Sequence, residues 1–196
     1  MFVFVFFMIT GCKKDEKSDT VPTSEGTFNC GGTFTDERDG NIYTTVKIGN
    51  QCWMSENLNY SSSNSWCYED SSSYCNKYGR LYDWSTAQNA CPSGWRFPSK
   101  SDFEKLLDKV GGTGNAGIDA RYALGEGGSS GFNALFGGMR NGDGSFCCID
   151  AASAWWSFTE EDADKICVLG ISEYDYCTGI FSSGKDAALY IRCIKD

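Results

Sequence analysis

Eleven cysteines and no histidine set the chemical terms of this 196-residue chain. Without histidine the usual general base, the Ser–His and Cys–His nucleophile arrangements and the commonest metal ligand are missing. So many cysteines in so small a chain point to an oxidising compartment, where they staple rather than react. Cys67 and Cys75, eight residues apart around a serine-rich stretch, suit a small disulfide-closed loop. A C-x-x-C redox spacing is absent. Cys167 and Cys177 flank a turn at Glu173-Tyr174-Asp175 and read as a cross-strand bridge.

Three further constellations bear on function. The first is aromatic: Trp155, Trp156, Tyr174, Tyr176 and Phe181. Adjacent strand residues point to opposite faces, so one of Trp155 and Trp156 is expected in the core and the other at least partly exposed, free to stack on the apolar face of a sugar ring. The alternative is that both are covered, since tryptophan is a natural filler of a small sheet. The second is acidic: Glu160-Glu161-Asp162-Ala163-Asp164 offers oxygens of the kind Ca²⁺ takes, but does not match an EF-hand loop and reads more simply as a solvated turn. No metal site and no cofactor is expected. The third is the carboxylate pair of a glycoside hydrolase, which the sequence cannot assemble because it does not fix separations. No catalytic residue is assigned, and the chain is not expected to be an enzyme.

The net charge is −9, from 26 acidic and 17 basic residues. No basic stripe is present to neutralise phosphates, so nucleic acid is excluded as a partner. The length suits one domain with a sizeable core. Residues 1–11, MFVFVFFMITG, are uncharged and almost wholly apolar. They are too few to span a bilayer as a helix, and read as the core of a signal peptide. The usual positive n-region is missing, so the natural start is expected further upstream. Ile9-Thr10-Gly11-Cys12 resembles the lipobox of bacterial lipoproteins, which implies cleavage before Cys12 and its acylation. Removing Cys12 leaves ten cysteines, an even number. Residues 12–28 are polar, cannot bury a core, and are expected to be a flexible tether. Lys14-Asp15-Glu16 is similar to an export tag that sends some Bacteroidetes lipoproteins to the outer face of the outer membrane. The expected location is therefore that surface, with the membrane as partner through the lipid.

The elements that must position these groups begin with residues 33–37 and 42–48. They alternate around Arg38-Asp39-Gly40-Asn41, a hairpin signal, and a second turn at Gly49-Asn50 leads into a strand at 51–54. Trp84, Ala87 and Cys91 share one face of a short helix that Asp83 or Ser85 can cap and Pro92 ends. Phe103, Leu106, Leu107 and Val110 form the stripe of a second helix, with Ser101 and Glu104 as a capping box and Gly111-Gly112 as the stop. Residues 111–144 hold twelve of the 23 glycines and read as a long irregular region without helix or regular strand. Phe132, Leu135, Phe136 and Met139 are expected to tack it to the core. The remainder reads as strands at 154–158, 165–171, 176–182 and 187–194.

Five segments in order, TFTDERDGNIYTTVKIGNQCWMSENLNY, CYEDSSSYCNKYGRLYDWSTAQNACPSGWRFPS, GFNALFGGMRNGDGSF, WWSFTEED and IRCIKD, resemble the Fibrobacter succinogenes major paralogous domain over about residues 33–196. That resemblance implies a secreted or lipid-anchored surface module with no established activity, and makes residues 29–196 one domain. Cys52, Cys147, Cys148, Cys167 and Cys177 depart from the usual pattern, as does Phe158 where a serine is usual.

A more distant resemblance is to C-type-lectin-like domains, on Trp84, Ala87, Cys91, Gly94, Ser101 and Glu104. It implies an α+β fold of two short helices on small antiparallel sheets with a long glycine-rich loop region. It also implies a Cys91–Cys193 bridge, which loop entropy values at roughly 4–5 kcal/mol. The Glu-Pro-Asn, Gln-Pro-Asp and Trp-Asn-Asp motifs of calcium-dependent sugar binding are absent. Those assignments leave Cys30, Cys52, Cys147 and Cys148. Pairing Cys147 with Cys148 requires a strained vicinal ring, since disulfides prefer Cα separations above about 4.4 Å. Each is therefore expected to reach back to Cys30 or Cys52. The formylglycine-generating oxidases share the lectin-like fold and use a cysteine pair, but they are larger, and staples explain these cysteines better. The reading is a disulfide-stapled surface module for binding or adhesion, with polysaccharide or a cell-surface protein as partner. Trp155, Trp156, Tyr174 and Tyr176 are its candidate contacts. A structural coat is second and an enzyme third.

Overall fold

The structure, a computed structural model, describes residues 28–112, 117–173 and 177–195. The expected signal segment, Cys12, nearly all of the expected tether, Tyr174 and Tyr176 lie outside the described residues. The architecture is α+β, built on two sheets.

The first sheet starts from the two turns read in the sequence. Strands β1 (Thr33–Thr35), β2 (Ile42–Ile48) and β3 (Gln51–Met54) form successive antiparallel pairs. Strand β13 (Ile194–Lys195) then inserts between β3 and β6 (Trp95–Arg96), giving the order β1-β2-β3-β13-β6. The second sheet runs β11 (Thr178–Gly184), β10 (Lys165–Ser172), β9 (Ala152–Glu160), β7 (Gly137–Arg140), β12 (Ala188–Leu189), β5 (Leu81–Asp83) and β4 (Ser65–Trp66). Strand β8 (Phe146–Ile149) is a branch paired to β7. Pairing between strands is antiparallel except where β7 meets β9. The expected strand at 187–194 is therefore two strands in different sheets.

Helix α3 (Lys100–Val110) buries Phe103, Leu106, Leu107 and Val110, the stripe read from the sequence. Its capping box is Ser99 with Asp102 rather than Ser101 with Glu104. Asp102 wins because it is buried and also accepts two hydrogen bonds from Arg96, at 2.7 and 2.9 Å. Burial pushes the Asp102 carboxyl up, but the Arg96 and Ser99 hydrogen bonds outweigh it and hold the group well below the usual carboxylate range. Helix α2 (Trp84–Ala87) is only four residues long, capped by Asp83, whose Oδ1 accepts from the Thr86 N–H at 2.7 Å. The chain then tightens into i→i+3 turns at Asn89 and Ala90 before Cys91.

The glycine-rich region is more ordered than its composition predicts. It contains helix α4 (Gly117–Leu124) and strand β7. Ala120 and Leu124 are buried, and that apolar contact decides the helix. Gly137 lets β7 pass flush against Tyr190, because a Cβ there would collide with the phenol that donates to the Gly137 carbonyl at 2.8 Å. Phe132 is fully buried, with Leu135 and Phe136 packed against the same core.

Among the described residues three disulfides are present: Cys30–Cys52, Cys67–Cys75 and Cys91–Cys193. Two expectations are corrected. Cys167 and Cys177 are free thiols, because the β10–β11 register sets Cys167 opposite Ser182 while Cys177 lies at the hairpin's other end, beside Ser172. Cys147 and Cys148 are also free and do not reach Cys30 or Cys52. The segment carrying Cys30 lies along β2, where the Gly31 N–H donates to the Thr45 hydroxyl, so Cys30 meets Cys52 on the neighbouring strand.

Candidate functional site

Trp155 and Trp156 do point to opposite faces of β9, but both are fully buried, each in a separate core cluster. Both faces of β9 are covered at this point, Trp155 by Trp53, Phe103 and Phe132 in one cluster and Trp156 by Tyr82, Ile166 and Leu189 in the other. The Trp155 indole donates to Asn57 Oδ1 at 2.7 Å and the Trp156 indole to the Tyr82 carbonyl at 2.8 Å. Neither is a ligand platform. The acidic run forms the β9–β10 turn, where Asp162 Oδ1 accepts from the N–H groups of Asp164 and Lys165 at 2.8 and 2.9 Å. Glu160 pairs with Lys185 at 2.6 Å. Among the described residues no three acidic or cysteine side chains gather as metal ligands.

The chemistry-bearing concavity lies elsewhere. A cavity of about 600 Å³ is framed by Asn41, Ile42 and Tyr43 at the start of β2, by Ser55, Glu56, Asn57 and Asn59 after β3, and by residues 75–79 at the foot of helix α1 (Ser72–Tyr78). Glu126, Asn133, Leu135 and Arg192 complete it. A second cavity of about 310 Å³ shares Lys77, Tyr78, Glu126 and Leu135 with the first, and adds Arg121, Tyr122, Phe136 and Asp150. Together they form one cleft with polar and apolar lining in similar measure.

Its floor is a buried knot around Asn57 and Arg192, which are 6% and 1% exposed. Asn57 Oδ1 accepts from Arg192 Nε at 3.1 Å, from Arg192 Nη2 at 2.6 Å and from Trp155, while its Nδ2 donates to the Tyr78 carbonyl at 2.8 Å. Arg192 also donates to the Phe132 and Asn133 carbonyls and lies over the Phe132 ring at 4.2 Å. Among the described residues it has no carboxylate within ion-pair distance. Burial lowers its pKa to about 9, against a small opposing effect of Glu56, so it stays charged at neutral pH. A buried cation held by neutral amide and carbonyl oxygens keeps a positive potential behind the cleft.

Local sequence explains the placement. Gly79 has φ +78°, and a Cβ there would lie 2.8 Å from Asn57 Cβ, so glycine allows the 55–59 segment to lie against α1. That segment is hung from the strands on both sides: Leu58 N–H donates to the Ile191 carbonyl at 2.9 Å, and Arg80 N–H to the Leu58 carbonyl at 3.0 Å. Tyr43 receives the Asn59 N–H at 2.9 Å, and burial pushes its phenol up to about 12. Tyr78 donates to Asp150 at 3.2 Å. The wall facing solvent carries Tyr122, 62% exposed on α4, with the Arg121 guanidinium 5.1 Å from its ring centre.

Residues 46–195 match the model of the Fibrobacter succinogenes major domain. The chain belongs to this family. No curated protein and no solved structure matches it. Within this Fibrobacter succinogenes major domain, the cleft residues went unnoticed in the sequence because they are scattered over seven segments. The available signals were the amide-rich Glu56-Asn57-Leu58-Asn59-Tyr60 and an arginine, Arg192, inside an otherwise apolar run. No helix among the described residues is long and apolar enough to cross a membrane.

Proposed function

We propose that this domain is a non-enzymatic carbohydrate-binding module of a bacterial lipoprotein, held to the outer face of the outer membrane through an acylated Cys12. The observation that carries the reading is the cleft, in which side-chain amides, carboxylates and an ammonium group line one concavity beside the exposed Tyr122 ring. Sugars present that mixture in reverse: hydroxyls that both donate and accept, and C–H faces that stack on an aromatic ring. Binding rather than turnover is favoured because Arg192 and Asn57 are engaged in holding each other and the surrounding chain. A C-type-lectin-like arrangement is proposed with it, supported by the Cys91–Cys193 bridge and the α2–α3 pair.

The test is binding of the full-length protein, disulfides intact, to a panel of plant and bacterial polysaccharides. Tyr122→Ala is expected to weaken binding about tenfold, the worth of one aromatic contact of roughly 1.4 kcal/mol, and Asn76→Ala about fivefold, the worth of one hydrogen bond of roughly 1 kcal/mol. Unchanged affinity in both variants, or no binding to any glycan by folded protein, overturns the carbohydrate reading. The second outcome favours a coat or protein-partner role. An observation on another face supports that alternative: Phe158 and Phe181 are 59% and 44% exposed, and Phe181 borders an apolar depression of about 300 Å³.

A further inference from the structure

Cys147 and Cys148 sit on β8, the branch that pairs only with β7, with Cys147 opposite Met139. Neighbouring residues of a regular strand point to opposite faces, which would hold two adjacent thiols apart. Here they converge. Cys148 has φ +69° and Asp150 φ +57°, both in the left-handed region that non-glycine residues seldom occupy. Neither angle is left to chance. The Ala151 N–H donates back to the Cys148 carbonyl at 3.1 Å, the Asp150 N–H donates to the Phe136 carbonyl at 2.8 Å, and the Asp150 side chain receives the Tyr78 hydroxyl. These bonds hold the kink, and the kink folds the Cys148 side chain back onto its neighbour, with the two sulfurs 2.6 Å apart. That is far closer to a bond of about 2.04 Å than to the separation of side chains on opposite faces.

The other cysteines among the described residues leave this pair to itself. Six cysteines are already joined in three bridges, Cys167 is buried on β10, and Cys177 lies at the end of the β10–β11 hairpin. Those three bridges require an oxidising compartment, and Cys148 is exposed there.

We propose that Cys147 and Cys148 close on each other as a vicinal disulfide in the mature protein, forming a fourth bridge that opens and closes reversibly. The oxidant is an external disulfide, RSSR, of a thiol–disulfide exchange protein or a small thiol. The Cys148 thiolate attacks one sulfur of RSSR, forms a mixed disulfide and releases one thiolate RS⁻. Cys147 then loses its proton and attacks the Cys148 sulfur, forming the Cys147–Cys148 bond and expelling the second RS⁻. The balance is one dithiol plus RSSR giving one disulfide plus two RSH. Cys148 leads because it is exposed, whereas Cys147 is half-buried and its thiol is pushed up to about 11 by burial and by the neighbouring sulfur. Adjacent Cα atoms are about 3.8 Å apart, below the range disulfides prefer, so this ring is the most easily reduced of the four bridges.

The experiment is peptide mapping of the full-length protein, exported to an oxidising compartment and purified without reductant. The protein is unfolded in urea without reductant, so that half-buried thiols are reached as well, treated with iodoacetamide and then cut with trypsin. Arg140 and Lys165 bound a peptide, 141–165, that contains Cys147 and Cys148 as its only cysteines. The expected peptide is unlabelled and two hydrogens lighter than the dithiol. It takes up two labels after dithiothreitol at a concentration that leaves Cys91–Cys193 intact. In Cys148→Ser the same peptide takes one label without reductant. Two labels on the unreduced wild-type peptide, or a cross-link from it to the peptide of Cys167 or Cys177, overturns the proposal.

Discussion

Replacing Asn57 with alanine removes the centre of the knot beneath the cleft. Four hydrogen bonds are lost at once, one to the buried Trp155 indole, two to Arg192 and one to the Tyr78 carbonyl. A buried polar group left unpaired costs about 1–3 kcal/mol. Taking the low end for Trp155 and for the Tyr78 carbonyl, and about 1–2 kcal/mol for a guanidinium that keeps its bonds to the Phe132 and Asn133 carbonyls, the loss is about 3–4 kcal/mol. For a domain of this size that lowers Tm by about 10 °C. Asn57→Asp keeps every acceptor role, puts a carboxylate beside Arg192 and forfeits only the donor to Tyr78, so it should lose less than the alanine variant. Urea unfolding followed by tryptophan fluorescence, with disulfides intact and equal m-values, measures both. A loss under about 1 kcal/mol for Asn57→Ala, or an aspartate variant weaker than the alanine one, would refute the picture of a cation held by neutral oxygens.

Two further outcomes follow from the scaffold. The folded pKa of Asp102 lies below its unfolded value of 3.8, so its stabilisation is present above that pH and is lost as pH falls further. Asp102→Asn should cost about 1–2 kcal/mol at pH 7 through the lost charge-assisted bonds to Arg96. It should also show a shallower fall in stability between neutral pH and acid, and an unchanged acid slope by calorimetry would contradict this. Replacing both Cys91 and Cys193 with alanine opens a bridge with a sequence separation of 102 residues and should cost about 4.7 kcal/mol by loop entropy. The same change at Cys67 and Cys75, 8 residues apart, should cost about 2.5 kcal/mol. Chemical denaturation that ranked the two in the opposite order would count against the loop-length argument.

What the sequence disclosed depended on how local the signal was. The hairpins around Gly40 and Gly49 and the apolar stripe of α3 are written in adjacent residues, and the structure has them. The α3 cap moved from Ser101 to Ser99 because Asp102 answers to Arg96, a partner outside the helix. Glycine content hid α4, since a helix can tolerate poor composition when Ala120 and Leu124 find a core to fill. Period-two logic separated Trp155 from Trp156 correctly but could not reveal that each of the two faces is covered there by its own core cluster. The preference of disulfides for Cα separations above about 4.4 Å set Cys147 and Cys148 apart, and did not foresee the left-handed backbone at Cys148 that brings the two sulfurs together. The cleft was least legible, because Asn57 meets Arg192 across 135 positions of sequence and no spacing rule reaches that far.

Residues 188–195 run like a seam through the whole molecule. Ala188 and Leu189 join β5 to β7, Tyr190 exchanges backbone bonds with Ala154 and Trp156, Ile191 receives Leu58, Cys193 receives Met54, and Ile194 separates Trp53 from Arg96. Neither sheet can be completed until this stretch is in place, so the stability of both sheets waits on one short segment shared between them. The two sheets should then form together, slowly, in a single transition dominated by distant contacts.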